Sequence, residues 1–289
     1  MKTEQINIRD PFVLLYDGKY YLYGTRGETA FANHAEGLDV YISEDKNEWE
    51  GPIPVFQKKE GFWADRHFWA PEVYHYNDAF YMFVTFAAGK KKQGTVVLKA
   101  EKPDGEFVEW SDQTITPADE LCLDGTLYLD RDKTPYMVYC REWKEVRIGQ
   151  IWAVQLDKEL KKPVAEPFML FKAAEAKPLV KSFLLGNYVT DGPFFARTED
   201  DRLHMLWSSY GKGGYVQLMA HKTSEDLTTH FVTDAALYTS DGGHGMIFRD
   251  FSGALRLCFH VVRPDDPRKA RRPVVWYLDD STDRLLIKQ

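Results

Sequence analysis

The chain has 289 residues, a formal net charge of −7 and 44% hydrophobic residues, which is enough apolar material for a large core. Its acidic balance argues against nucleic acid or an anionic membrane as the main partner, because both require a cationic surface. No apolar run is long enough to span a bilayer, and no apolar stretch follows Lys2 as in a signal peptide. We therefore predict a cytoplasmic protein.

The three cysteines, Cys122, Cys140 and Cys258, are widely spaced and odd in number. Cys140 and Cys258 fall inside apolar strand patterns, which is typical of small buried residues in a reducing compartment. No cysteine pair has the spacing of a metal site. We therefore expect neither a disulfide framework nor a cysteine-bound metal.

An internal repeat runs along almost the whole chain. Five segments consist of a short strand, a polar turn and an aromatic-rich strand, and they begin at Asp10, Ala70, Asp124, Asp191 and His244. Each segment is followed by a weaker second pair of strands around another polar turn. Five units of four strands predict an all-β fold, a five-bladed β-propeller with four antiparallel strands per blade. We expect a single domain over residues 1–289, without strand exchange between the termini.

Three of the five inner strands begin with an aspartate followed by Gly or Pro: Asp10, Asp124 and Asp191. The innermost strands of a propeller line its axis, so these side chains are expected to meet at one end of the channel. Converging carboxylates repel one another and lose water, which raises their pKa values. One such aspartate is often a simple turn cap. Three at repeated positions indicate a ligand, a metal or a reaction.

The connections after the second strand of each blade are expected to overhang the same end of the channel. Polar residues in these loops are candidates for contacts with a ligand, and aromatic residues are candidates for stacking on it. Packing between blades is an equally good interpretation for Phe31. Together with two residues at the start of the second inner strand, the candidates are Phe31, His34, Trp69, Glu72, Arg141, Trp143 and Arg263.

Short motifs at the five strand starts carry a resemblance to a known family. They are Arg9-Asp10-Pro11, Trp69-Ala70-Pro71-Glu72, Leu123-Asp124, Asp191-Gly192-Pro193 and Gly243-His244-Gly245. In this order, one per blade, they resemble glycoside hydrolase family 43, the five-bladed inverting arabinofuranosidases and xylosidases. The resemblance implies an inverting glycosidase acting on plant-type oligosaccharides, as an exo-acting α-L-arabinofuranosidase or β-xylosidase. It implies no organic cofactor.

The resemblance also implies a role for individual residues. Asp10 would be the general base, Asp124 would tune and orient the acid, Asp191 would be the acid, and His244 would help to hold a central calcium ion. An inverting enzyme places its two carboxyl groups about 6.5–9.5 Å apart, so that a water molecule fits between them. Asp10 would have to be ionised and Asp191 protonated.

Asp191 departs from the resemblance, because the family has a glutamate at that position. The shorter side chain displaces the carboxyl group, and a displacement of about 1 Å can cost on the order of 100-fold in rate. Two alternatives therefore stay open at this point: a non-catalytic carbohydrate-binding propeller, and a retaining propeller of the β-fructosidase type. Glu72 and Glu142 are other possible proton sources, although neither occupies the matching position.

Overall fold

The computed structural model describes residues 1–289 except 90, 177–185, 199–200, 223, 225, 230, 265, 267–269, 280–284 and 289. It contains five separate four-stranded sheets, each built from consecutive antiparallel strands. This architecture confirms the predicted five-bladed β-propeller. In the described residues the first and last strands each belong to a blade of consecutive strands, and none is exchanged to close the ring.

The strand bounds follow the chain from the axis outwards in each blade. Blade one contains β1 (Ile8–Tyr16), β2 (Lys19–Arg26), β3 (Gly37–Ser43) and β4 (Glu50–Gln57). Blade two contains β5 (Arg66–Tyr76), β6 (Ala79–Ala88), β7 (Lys91–Ala100) and β8 (Val108–Glu109). Blade three contains β9 (Cys122–Leu129), β10 (Pro135–Arg141), β11 (Gln150–Gln155) and β12 (Phe168–Lys172). Blades four and five contain β13 (Asp191–Arg197), β14 (Leu203–Gly211), β15 (Gly214–His221), β16 (Val232–Tyr238), β17 (Gly242–Arg249), β18 (Leu255–Val262), β19 (Arg271–Asp279) and β20 (Leu286–Lys288).

Helical structure in the described part of the chain is confined to short turns. They are the α-helical turn α1 (Trp143–Val146) and the 3-10 turns Thr3–Gln5 and Ala173–Glu175. Within those same ranges, no helix is long and apolar enough to cross a membrane. Helix α1 follows β10 directly and therefore carries Trp143 onto the face where the inner strands begin.

Tight turns join the first two strands of blades one and two, as the polar dipeptides predict. Asp17 and Gly18 have φ values of 46° and 72°, and Asn77 and Asp78 have values of 46° and 60°. A two-residue hairpin loop of type I′ needs a positive φ at both positions, and Asp, Asn and Gly reach that region at the lowest cost. These turns fix the register of the hairpins.

The ring closes where β1 packs against β17 and β18. Arg263 reinforces this junction, because its Nη2 donates a hydrogen bond to the carbonyl oxygen of Ile6 over 2.7 Å. On the axis, the ring of Phe12 contacts Tyr74 of blade two at 5.2 Å and Phe194 of blade four at 6.1 Å between centroids. Aromatic side chains from three blades therefore pack together at the centre of the ring.

The three cysteines are buried and free of disulfide bonds. Cys140 and Cys258 lie inside β10 and β18, as their apolar surroundings predict. Burial raises the pKa of the Cys258 thiol above its usual range. The cysteines therefore act as small core residues.

A β-bulge interrupts each inner strand close to its start. The first residue of each bulge has left-handed backbone, and these residues are Asp10, Ala70, Asp124, Gly192 and His244, with φ between 47° and 55°. A bulge bends the strand and redirects its side chains. The interpretation of three aspartates at equivalent positions is therefore wrong for Asp191. It precedes its bulge, as Arg9 does in blade one.

The bulges are tied to the neighbouring blades by hydrogen bonds. In four blades the backbone N–H of the first bulge residue donates to a side chain on the second strand of the preceding blade. The pairs are Ala70 to Thr25 Oγ1 (2.8 Å), Asp124 to Thr85 Oγ1 (2.8 Å), His244 to Ser208 Oγ (2.7 Å) and Asp10 to His260 Nδ1 (3.0 Å). In blade three Cys140 occupies the matching position, and Gly192 N–H donates instead to Asp124 Oδ2 over 3.1 Å.

Candidate active site

A pocket of about 200 Å³ lies on the axis at the end where the inner strands begin. The structure brings Asp10, Asp124 and Asp191 together in its wall. The other lining side chains include four of the predicted residues and several that were not predicted. They are Arg9, Thr25, Phe31, Trp69, Glu142, Trp143, Lys144, Tyr210, Tyr215 and His244.

Asp10 is held as an ionised carboxylate. The Thr25 hydroxyl donates to its Oδ2 over 2.7 Å, and His244 Nδ1 lies 3.2 Å from its Oδ1. Burial alone would raise the pKa of Asp10, but His244, His260 and Arg9 outweigh that effect and hold it well below the usual range. Donors that favour the charged form lower a carboxyl pKa in this way. Asp10 can therefore act as an acceptor for a proton.

Asp191 is in the opposite state. Burial raises its pKa to about 7, and the negative charges of Glu142 and Asp10 push in the same direction. The hydroxyl of Tyr215 donates to Asp191 Oδ2 over 2.9 Å and partly offsets this rise. The carboxyl group therefore keeps its proton up to about neutral pH, which suits a general acid.

Asp124 and Asp191 titrate as a pair. Burial, followed by the charges of Asp191 and Asp10, raises the pKa of Asp124 well above its usual value. The carboxyl group accepts the backbone N–H of Gly192, the residue after Asp191, over 3.1 Å. Two buried carboxyl groups that repel each other share their protons, so the pair as a whole retains a proton near neutrality.

His244 connects the base to this pair. Its Nδ1 is 3.2 Å from Asp10 Oδ1 and 3.9 Å from Asp124 Oδ2, and burial lowers its pKa. In the tautomer with Nδ1 protonated, neutral His244 donates to Asp10. Its ring packs so closely on Gly192 that a Cβ at that position would lie 2.6 Å from His244 Cδ2. This contact therefore requires Gly192, whereas non-glycine residues adopt the same left-handed φ at the other four bulges.

Calcium at the axis stays a prediction. Among the residues that the structure describes, no group of three or more His, Cys, Asp and Glu side chains is placed to hold a metal ion. Calcium needs six to eight oxygen ligands, whereas Nδ1 of His244 faces Asp10. The side chains present do not form a calcium cage, and no catalytic step is derived through the ion.

Aromatic side chains form one wall of the pocket. Trp69 Nε1 donates to the carbonyl oxygen of Ala30 over 2.5 Å, which fixes the indole ring. Phe31 is 75% exposed, lies edge-on to Trp69 at 6.1 Å, and carries the Arg9 guanidinium over its face at 4.8 Å. The packing interpretation of Phe31 is therefore not supported. An exposed ring beside a fixed indole provides a surface on which the apolar face of a sugar can stack.

Glu142 lines the same pocket from the start of helix α1. Its side chain is buried, with Lys144 Nζ 2.8 Å from Oε1 and Gln93 Nε2 3.3 Å from Oε2. A buried carboxylate needs such partners to remain charged. Glu142 therefore adds a fixed negative charge that helps to keep Asp191 protonated.

Four predicted contact residues do not line the pocket. His34 is exposed in the loop between β2 and β3. Arg141 pairs with Glu120 and Glu145, and Arg263 is engaged at the ring closure with Ile6. Charged loop residues were expected to face the ligand, but acidic and carbonyl groups nearby bind both arginines instead.

Glu72, the fourth of these residues, is buried beside the axis. Its carboxyl group accepts a hydrogen bond from the Tyr74 hydroxyl, which also lies 2.8 Å from Thr126 Oγ1. Burial raises the pKa of Glu72 to about 8. Glu72 is therefore a protonated structural residue at neutral pH, and its place in the sequence motif reflects packing below the site.

Tyr215 and His260 are two of the unpredicted residues that act on the site. Tyr215 lies near the start of β15, and its hydroxyl donates a hydrogen bond to Asp191. His260 lies fully buried in β18 and stacks on Tyr215 with ring planes 2° apart. Both fall in apolar strand patterns, where an aromatic residue usually indicates core. The available signal was positional, because His260 stands where three other blades carry Thr or Ser.

Comparisons with known proteins agree with this geometry. The model of the glycosyl hydrolases family 43 matches residues 4–276. An extracellular exo-α-(1→5)-L-arabinofuranosidase of Cellvibrio japonicus is 23% identical over 268 residues, covering 86% of this chain and 72% of that protein. The crystal structure of an endo-arabinase from Bacteroides thetaiotaomicron is 36% identical, with a TM-score of 0.85 and 95% of both chains covered.

A second solved structure from Bacteroides thetaiotaomicron, an endo-1,4-β-xylanase, is 25% identical with a TM-score of 0.78. It covers 98% of this chain and 95% of its own. The family match extends over all five inner strands and includes every aspartate of the pocket. This chain therefore belongs to the glycosyl hydrolases of family 43.

Proposed function

We propose that the chain is an inverting, exo-acting α-L-arabinofuranosidase, with β-xylosides as the second class of substrate. The observation that carries the proposal is the opposite ionisation of two carboxyl groups in one pocket, with Asp10 charged and Asp191 protonated. Inverting hydrolysis requires such a pair. Because the chain belongs to family 43, the alternative of a retaining propeller of the β-fructosidase type no longer applies.

Asp10 takes the role of general base. Thr25 and His244 each use one lone pair of its carboxylate, which leaves lone pairs for a water molecule at the mouth of the pocket. The water gives its proton to Asp10 as its oxygen attacks the anomeric carbon. Because Thr25 and His244 hold the carboxylate and His260 accepts the backbone N–H of the same residue, little reorganisation is needed during the reaction.

Asp191 takes the role of general acid and gives its proton to the leaving oxygen. As the proton departs, the new carboxylate is stabilised by the Tyr215 hydroxyl over 2.9 Å. Before that step, the low dielectric of the pocket and the negative charges of Glu142 and Asp10 oppose ionisation. Asp191 lies one residue before the bulge of its strand, whereas Asp10 is the first residue of its own bulge. The two side chains therefore project from different points of their strands, and the position of the Asp191 carboxyl group depends on the backbone as well as on side-chain length.

The preference for arabinose and for chain ends rests on two supports. The arabinofuranosidase relative is named as exo-acting on α-(1→5) linkages, and the relative at 36% identity is named as an endo-arabinase, so both names support arabinose and only the first supports chain ends. A pocket of about 200 Å³ is small for a ligand site and suits one terminal sugar better than the middle of a chain. The cytoplasmic location stays a prediction, and the arabinofuranosidase relative is named as extracellular.

The stereochemistry of the product tests the proposed reaction. With 4-nitrophenyl α-L-arabinofuranoside, proton NMR recorded during turnover should show the β-anomer of arabinose first, because water attacks opposite the leaving group. Asp10→Asn should release no product while keeping the unfolding temperature within a few degrees, since the amide keeps the shape of the side chain. Initial release of the α-anomer would contradict inversion, and the absence of any turnover would favour the non-catalytic propeller.

The leaving group distinguishes the acid from the base. Asp191→Asn should lower kcat/KM for arabino-oligosaccharides by about 10²–10⁴-fold, the usual contribution of a general acid. The loss should be much smaller for a 2,4-dinitrophenyl glycoside, whose leaving group departs without a proton. Asp10→Asn should lose both activities, and Glu142→Gln serves as the matched control in the same pocket. If Glu142→Gln shows the dependence on the leaving group instead, Glu142 is the acid.

The pH profile reports the pKa of Asp191. Activity needs its protonated form, so kcat/KM should fall as the pH rises through about 7. Tyr215→Phe removes a donor that favours the ionised carboxylate, so the pKa should rise and the alkaline limb should move up by about one pH unit. Tyr210→Phe, a change at another tyrosine of the pocket, is the control. A limb that stays fixed or moves down in Tyr215→Phe would contradict the assignment.

A further inference from the structure

A second cavity, of about 440 Å³, lies beside the active site. It is bounded by Trp63, which precedes β5, by Gln93 and Val96 of β7, and by residues 109–118 at the end of blade two. The chain enters each inner strand, and begins each third strand, at the end of the ring that carries the active site. Gln93, near the start of β7, therefore places one end of the cavity at the face that carries the catalytic pocket. It is named the blade-two pocket below.

The lining of the blade-two pocket combines an indole ring with polar groups. Trp63 is half-buried against Phe62 and Phe86, and its Nε1 donates to Glu109 Oε1 over 3.2 Å, so the ring is held in place. Asp112 and Gln113 stand exposed at the rim. Among the described residues of its lining, the charged ones are Glu109 and Asp112, both acidic. An aromatic face with acidic and amide groups around it suits a neutral polyhydroxylated ring.

Gln93 connects the walls of the two cavities. Gln93 is 4% exposed, lines the blade-two pocket, and lies 2.7 Å from His67 Nδ1 and 3.3 Å from Glu142 Oε2. His67 in turn stacks on Trp69 with ring centroids 3.8 Å apart. Trp69 and Glu142 line the active-site pocket. The lining of the blade-two pocket is therefore in direct contact with the lining of the active-site pocket.

We propose that the blade-two pocket binds a sugar unit of the substrate that lies further along the chain than the cleaved bond. This inference rests on the proposed function, because it assigns the pocket to the same oligosaccharide. Trp63 provides the stacking surface, and Glu109, Asp112 and Gln113 accept or donate hydrogen bonds to ring hydroxyls. The pocket selects for longer substrates and leaves the chemical step to Asp10 and Asp191.

Substrate length tests the inference. The double variant Asp112→Ala/Gln113→Ala changes exposed residues and should fold normally, and Trp63→Ala removes the stacking ring. Each should lower kcat/KM for α-(1→5)-arabinohexaose by about tenfold, the effect of a modest loss in binding energy. Neither should change hydrolysis of 4-nitrophenyl α-L-arabinofuranoside by more than about twofold. Asp132→Ala, at a turn on the opposite face, is the matched control. Equal effects on both substrates, or no effect on the hexaose, would overturn the inference.

Direct binding separates this inference from the proposed reaction. Calorimetry on Asp10→Asn should detect arabinohexaose or xylohexaose, and adding Asp112→Ala/Gln113→Ala should weaken that binding about tenfold. If the wild type hydrolyses neither arabinosides nor xylosides but this difference in binding persists, the proposed function is wrong and the assignment of a sugar to the blade-two pocket is supported. If binding is the same with and without the double change, the blade-two pocket does not bind a sugar unit, whatever the catalytic activity of the wild type.

Discussion

A hydrogen bond from the backbone N–H of Gly192 to the carboxyl group of Asp124 joins blades three and four. At this one junction, no Thr, Ser or His of a second strand accepts the N–H of the first bulge residue. At the four other junctions, Thr25, Thr85, Ser208 or His260 accepts the bulge N–H. Because each bulge residue has left-handed backbone, these bonds stabilise a conformation that costs energy in a non-glycine residue. Asp124 thus links blades three and four and faces the reacting groups, so the fold and the chemistry depend on the same contact.

The pocket separates the ionisation of groups with nearly equal intrinsic pKa values. Asp10 is surrounded by donors and by Arg9, whereas Asp191 and Asp124 are buried among other carboxyl groups. The folded-state pKa of Asp191 is raised, so this burial lowers stability progressively as the pH rises from about 4, the unfolded value, to about 7. Such a cost is characteristic of a site shaped for proton transfer. Glu72, which also has a raised pKa, lies outside the pocket and accepts a hydrogen bond from the Tyr74 hydroxyl.

The repeat made the propeller and the meeting of the three aspartates predictable, because strand starts in a propeller have only one axis to share. The same pattern led to the wrong equivalence of Asp191 with Asp10. Aligning Pro11, Pro71 and Pro193 places Gly192 opposite Asp10 and reveals the shift. Loop residues were less predictable, since Arg141 and Arg263 bind local acceptors that no periodicity encodes. Tyr215 and His260 were missed because strand patterns do not distinguish an aromatic residue of the core from one that faces the axis.

The charge state of Asp10 relative to Asp191 is the central claim, and NMR of side-chain carboxyl carbons in ¹³C-labelled protein measures it directly. Asp10→Asn and Asp191→Asn assign the two resonances by loss of signal. The resonance of Asp191 should titrate near pH 7, while that of Asp10 should stay in its ionised position to the lowest pH at which the protein remains folded. An Asp10 resonance that titrates at a higher pH than that of Asp191 would reverse the roles of acid and base and contradict the account.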